Sequence, residues 1–525
     1  MLTILGALPL AGAAVTFAVR GRFGRLIGLA FAVATLALGV VVVVLQGHGF
    51  DFAAQYRWIT PIGAWWALAL TGLAKPMVLL SVVLPPAVLV ATWRLGEADD
   101  DSVAPDETIA DPAGDHAPEA GRAAWSGSLF SPLVLLLEGL ALFVFLANDL
   151  LVFFFFFEAT LVPAYFLIGG WGGAHRGGAA FKFLLYGLGG GLVMLAGVVS
   201  VAAAAVSSAG EDGPSLLLSD LATGLHLAPG LERWLFVAFF VAFAVKAPLV
   251  PVHSWLPDVA GQAAPGATVL IVGVLDKIGA FGMIALCLRL FPHASQWAAG
   301  AVLVLAVVSI LYGAIMAVAS RTLMRLVAFT SVSHFGFMVL GIFSFTSASI
   351  TGAATYMFAH GLSAAVLLLV AGWVAVRQGT QRLGEFGGLG RKAPWLAGLF
   401  LLGGLATLSL PGFANFAGEF LALAGAWQRH PIYTAVAVLG TLVAAIYVML
   451  AYQRTMTGEI APEAAARAKG DVGRRQAGVA GVLIAGLLVT GFVPSLITTM
   501  VEPSTAATMA ALGVDDPTPA IVGGK

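Results

Sequence analysis

Apolar stretches of close to twenty residues recur along nearly the whole sequence, and they fix the solvent in which this chain can fold. A helix rises about 1.5 Å per residue, so about twenty apolar residues cross a hydrocarbon layer of about 30 Å. Fourteen such stretches can be marked, at about 2–19, 26–46, 73–93, 130–148, 150–170, 178–205, 232–259, 266–290, 299–319, 325–343, 350–376, 395–427, 432–452 and 478–500. Within a bilayer every backbone group must be satisfied inside the chain, and unbroken apolar runs of this length do so as helices. The expected fold is an all-α polytopic membrane protein with about 14 transmembrane helices. Composition agrees: only 10% of residues are charged, against about 25% in soluble domains. No basic segment precedes the first run, so it reads as a retained membrane helix and not a cleaved signal. A single cysteine, Cys287, gives no disulfide framework and no thiolate cluster. A net charge of −1 offers no footprint for nucleic acid.

Lysine and arginine in the loops set the orientation. With the N-terminus outside, eighteen basic residues fall in inside loops and six in outside segments, so both termini lie outside. Two of the 26 have no loop to occupy, Lys246 and Lys277, and both lie within apolar spans. A charge at that depth costs about 2.5–3.5 kcal/mol on insertion scales, so a chain that keeps two of them uses them.

The first of these lysines stands beside broken backbone. Span 7 carries Lys246-Ala247-Pro248 and then His253 to Pro257, and span 12 carries LSLPGFANFAGEF with Pro411 and Gly412 inside it. Interrupted helices at corresponding places of two halves point to an internal repeat with an ion site between them. Spans 4–8 and 9–13 are two sets of five, each with its fourth span broken. Five is odd, so the second set starts from the opposite side, which makes the repeats inverted. The expected division is 1–93, flanking helices; 94–129, an acidic loop (97–119 above all) with too little apolar surface to fold alone; 130–290, the first five-helix repeat; 299–452, the second; and 453–525, a polar inside loop, the last span and a weakly structured external tail from 501.

The remaining ionisable residues within spans form a row. Glu158 follows five phenylalanines in span 5, where a lone carboxylate must pair or protonate, and Lys246 is its natural partner. Lys277 is central in span 8, and Glu419 follows the break in span 12. His334 and His360, in spans 10 and 11, suit a proton relay; one axial haem pair is the less favoured reading. Glu138 (span 4), Lys182 (span 6) and Asp258, placed to cap a half-helix, are secondary candidates, and Asp276 points about 100° away from Lys277. Such a row moves protons by exchange between neighbours and needs no metal or cofactor in this chain.

HSWLPDVAGQAAPGATVLIVGVLDKIGAFG (253–282), NDLLVFFFFFEATLVPAYFLIGGWGG (148–173), SHFGFMVLGI (333–342) and AHGLSAAVLLLVAG (359–372) resemble the antiporter-like subunits of respiratory complex I, the proton-pumping NADH:quinone oxidoreductase. Glu419 in LPGFANFAGEF makes the M-type (NuoM-like) branch the best match, since L- and N-type subunits and the multisubunit cation/proton antiporters carry lysine there. The resemblance implies a proton channel coupled to quinone reduction in partner subunits. Glu158 and Lys246 would be the coupling pair, Lys277 the central lysine, Glu419 the exit glutamate and His334 and His360 the relay, with Lys182 and Glu138 matching further family positions. It implies L-like and N-like neighbours in the inner (plasma) membrane. FMN, iron–sulfur clusters and quinone would belong to partner chains. Asp276 departs from the pattern, which is apolar at that place. A subunit of a multisubunit Na+/H+ antiporter or of a membrane-bound hydrogenase is the alternative on the same scaffold.

Overall fold

The structure is a computed structural model that describes residues 1–49, 51–95, 125–207, 213–459 and 470–517. The acidic stretch 97–119 lies outside the described residues, as does most of the loop after span 13. Among the described residues, eleven helices are long and apolar enough to cross a membrane. They correspond to spans 2–6, 8–11, 13 and 14. Span 1 is the shorter helix Leu2–Ala18. Span 7 is broken into Pro229–Lys246 and Trp255–Gln262, and span 12 into Pro394–Thr407 and Ala414–Arg429. The bundle of fourteen expected from the sequence is therefore present.

Burial sorts these helices into a centre and a rim. The most apolar windows of spans 8, 10 and 11 are 94%, 94% and 100% buried, whereas those of spans 2, 6, 13 and 14 are 33–39% buried. A helix apolar all round belongs either in a core or against lipid, and both cases occur here. The three central helices carry Lys277, His334 and His360, so the ionisable row runs through the driest part of the molecule.

Three local breaks aim these residues. Span 5 divides at Thr160 into Leu150–Ala159 and Leu161–Gly170. Pro163 has no N–H to return to the preceding turn, and Glu158 and Thr160 flank the joint. Span 8, Pro265–Leu290, contains two π-helical turns, Ile271–Leu275 and Met283–Cys287, on either side of the α-helical turn that bears Asp276 and Lys277. Such bulges rotate the side chains that follow them. The third is the break in span 12, where Ser409 adopts a left-handed φ of 59°.

Two elements differ from expectation. Ala54–Ile59 and Ala64–Leu68 form an antiparallel hairpin between spans 2 and 3. It docks on the turn between spans 4 and 5 through Ala69 N–H to Leu146 O (2.8 Å) and Asn148 N–H to Ala67 O (2.9 Å). The tail is not weakly structured over its first part: after Val493-Pro494 a further helix spans Ser495–Leu512. Its buried Ile497, Val501, Thr505, Met509 and Leu512 recur at helical spacing. That stripe is legible in the sequence but too polar between its members to register as a membrane run.

Candidate functional site

Lys246, Lys277, His334, His360 and Glu419 are each at most 5% exposed. Lys246 is the last residue of the half-helix Pro229–Lys246, so the break in span 7 sets its ammonium at a helix C-terminus, where the dipole favours positive charge. Its Nζ donates to Thr160 Oγ1 (3.2 Å) and lies 5.0 Å from the centre of the Phe157 ring. Thr160 in turn donates to Phe157 O (2.7 Å). Lys246 thus touches both sides of Glu158 along span 5. Its hydrogen bond goes to Thr160, and the buried Glu158 Oε1 has no hydrogen-bond partner among the described residues. The Glu158 carboxylate instead occupies the space left by the missing side chain of Gly191 in span 6, where a Cβ would overlap it.

The second half is connected differently. Lys277 Nζ donates to Val272 O (2.8 Å), meets His360 Nδ1 at 2.8 Å, and lies 4.5 Å from the centre of the Phe335 ring. The His360 and His334 rings lie with centroids 5.2 Å apart and planes inclined by 36°. His334 Nδ1 is bonded to the Tyr356 hydroxyl and Nε2 to that of Tyr447 (3.2 Å). Tyr356 Oη donates to Glu419 Oε2 (2.8 Å), Ser409 Oγ donates to the same oxygen (2.6 Å), and Thr441 Oγ1 donates to Oε1 (2.8 Å). Since Tyr356 gives its only proton to Glu419, His334 Nδ1–H donates to Tyr356, and neutral His334 accepts at Nε2 from Tyr447.

Close packing holds Tyr356 and Glu419 together. A Cβ at Gly418 would sit 2.6 Å from Tyr356 Cα, so only glycine lets the second half of span 12 lie this near span 11. Ser409 reaches Glu419 because the break turns its backbone left-handed, a conformation that costs a non-glycine residue about 1–3 kcal/mol.

The secondary candidates separate. Asp258 is not a helix cap. It lies within the first turn of Trp255–Gln262 and bridges Lys182 Nζ and Arg325 Nη1, each at 2.7 Å, which ties spans 6, 7 and 10 together. Glu138 is buried, and neither of its oxygens has a hydrogen-bond partner among the described residues. The two oxygens of Asp276 are likewise buried without one. Asp149, at the turn before span 5, accepts from Leu151, Val152 and Trp65 N–H groups (2.8–3.0 Å). Burial nevertheless pushes its carboxyl up to about 6.

The sequence reading missed Thr160, Gly191, Tyr356, Tyr447, Ser409 and Thr441. None changes charge at neutral pH, so a search for ionisable groups passes over them. Tyr356 was the most accessible of these: it lies four residues before His360, on the same helix face.

A helical bundle with two broken spans and a buried row of amines, imidazoles and carboxyls belongs to the antiporter-like class of membrane ion translocators. The model of the NADH:quinone oxidoreductase/Mrp antiporter transmembrane family matches residues 147–444, and the chain belongs to that family. It is 40% identical to NADH-quinone oxidoreductase subunit M of Mycobacterium tuberculosis, over 99% of this chain and 96% of that one. A chain of the Thermus thermophilus respiratory complex I with bound NADH superposes with a TM-score of 0.85 at 31% identity, covering 98% of this chain and 100% of that chain. A chain of the Mrp complex from Dietzia superposes with a TM-score of 0.79 at 22% identity, over 97% of this chain and 98% of that chain, a likeness of fold alone. The family read from the motifs is therefore the right one.

Proposed function

We propose that this chain is an M-type proton-translocating subunit in the membrane arm of a NADH:quinone oxidoreductase. The observation that carries the mechanism is the array from Lys277 through His360, His334 and Tyr356 to Glu419, which crosses the second half at van der Waals or hydrogen-bond contact. The names of the M. tuberculosis and T. thermophilus relatives support the assembly. The chain catalyses no redox step alone. FMN, iron–sulfur clusters and quinone belong to partner subunits, with L-like and N-like subunits as neighbours in the inner (plasma) membrane and both termini outside.

Quinone reduction in a partner shifts charge towards Glu158 and Lys246. With Lys246 turned to Thr160, its charge is free to act on span 8; with Lys246 drawn to Glu158, it is not. Approach of this charge lowers the proton affinity of Lys277, which passes its proton to His360. The step between the two imidazoles has ring contact and no hydrogen bond, and it gates the path. Beyond it, His334 hands its Nδ1 proton to Tyr356 as Tyr356 protonates Glu419, and Glu419 releases to the outside. Each charge moved against 100 mV costs about 2.3 kcal/mol, so driving event and transfer must be tightly coupled.

Membrane vesicles carrying Lys246→Ala or Glu158→Ala test this reading. Fewer protons moved per NADH oxidised is the expected result, and wild-type pumping by both would refute it. Co-purification with flavin and iron–sulfur subunits separates this assembly from a Na+/H+ antiporter on the same scaffold.

A further inference from the structure

Span 8 carries two adjacent ionisable residues that face different halves of the molecule. Lys277 turns to His360 of span 11 and Phe335 of span 10. Asp276, one residue earlier, is about 100° around the helix. It shares a face with Gly279, three residues on. Gly279 packs so closely on span 7 that a Cβ there would sit 2.6 Å from both Ala247 N and Phe243 O. Ala247 directly follows Lys246, so Asp276 stands on the side of span 8 that lies against the end of the half-helix bearing Lys246.

A purely structural ion pair would place one of its oxygens in hydrogen-bonding reach of an ammonium. Here Lys277 directs its contacts to Val272 O and His360, and Lys246 to Thr160. Asp276 is 0% exposed, and neither of its oxygens has a hydrogen-bond partner among the described residues. A buried carboxyl left without partners is costly to keep, and this one sits in the turn bracketed by two π-bulges.

We propose that Asp276 is the proton carrier between the halves, taking a proton from Lys246 and delivering it to Lys277. This rests on the reading of the chain as a proton channel. The step is acid–base exchange alone. The Lys246 ammonium gives a proton to the Asp276 carboxylate, leaving a neutral amine and a carboxylic acid. The acid then protonates the neutral Lys277 amine and returns to carboxylate.

The test uses the whole complex in membrane vesicles oxidising NADH, with Asp276→Asn, Asp276→Glu and, as reference, Lys277→Met. The readouts are protons moved per NADH and the infrared difference spectrum in the carboxylic-acid carbonyl region during turnover. Asp276→Asn is expected to fall to the level of Lys277→Met and to lose one carbonyl band, while Asp276→Glu retains pumping with that band shifted. Wild-type pumping by Asp276→Asn with Lys277→Met impaired would overturn the carrier role and leave the channel reading standing. Wild-type pumping by both would overturn the channel reading as well. Should Asp276→Asn fail to assemble, Asp276→Glu decides: a shifted band supports the carrier, and an unshifted spectrum overturns it.

Discussion

The two halves of the ionisable row are built on opposite principles. In the first, the charged groups stand near one another without closing: among the described residues, Glu158 Oε1 and both oxygens of Asp276 and Glu138 are buried without hydrogen-bond partners, and Lys246 bonds to a threonine. In the second, Lys277, both nitrogens of His334 and the Tyr356 hydroxyl are engaged, and three hydroxyls donate to Glu419. Unsatisfied buried groups are costly and so prone to rearrange, whereas a satisfied network is rigid. The first half is thus suited to respond to a distant charge, and the second to conduct along fixed bonds. The broken helices follow the same division. The break in span 7 presents a helix end to a cation, while that in span 12 brings a hydroxyl to a carboxylate.

Substitutions can break this contrast from either side. The largest effect is expected from Glu419→Gln, which removes the carboxylate to which all three hydroxyls donate. Transfer through the second half should slow by about 100-fold or more, read as loss of this chain's share of the protons moved per NADH. Next is Gly191→Ala. The added methyl occupies the place of the Glu158 carboxylate and should cost about 1–3 kcal/mol of stability by overpacking, with weakened pumping while NADH oxidation continues; a thermal melt of the purified complex together with vesicle acidification checks both.

These two residues also mark what the sequence could disclose. Glu419 was legible because a carboxyl in an apolar run has few benign explanations. Gly191 was not, because its role is an absence of volume that only the path of span 5 makes meaningful. The number of spans and both breaks could be read from apolar length and proline. The hairpin at 54–68 could not, since the partners that bury it are remote in sequence, and the stripe of the last helix was too polar between its members to stand out as a membrane run. Asp258 shows a third case. Its charge was noticed, but local position suggested a cap, while its partners Lys182 and Arg325 lie 76 and 67 residues away.

Smaller effects sharpen the contrast. Ser409→Ala removes one of three donors to Glu419 and retains the left-handed strain, so it should weaken the exit site by about 1.5–3 kcal/mol. Ser409→Gly loses the same donor but relieves the backbone, and the difference between the two in pumping and in melting temperature isolates the hydroxyl. Asp258→Asn should matter least. Its two ion pairs are about a third exposed, and such pairs contribute about 0–1 kcal/mol, a loss that rising salt should mask.

The central claim is that beyond the imidazole step protons follow fixed hydrogen bonds from His334 to Glu419, and Tyr356 is the link with no charge of its own to confuse the result. Protons moved per NADH, measured side by side in vesicles carrying Tyr356→Phe or Tyr447→Phe, test it directly. Removing the Tyr356 hydroxyl leaves His334 Nδ1–H without its acceptor and Glu419 with two of its three donors, a loss of about 1–3 kcal/mol, or about 5- to 150-fold in transfer. Tyr447 lies beside the path and its loss should leave the ratio near wild type. A marked fall for Tyr356→Phe alone is the predicted result. Unchanged pumping by Tyr356→Phe, or an equal fall for both, would contradict a fixed path through Tyr356.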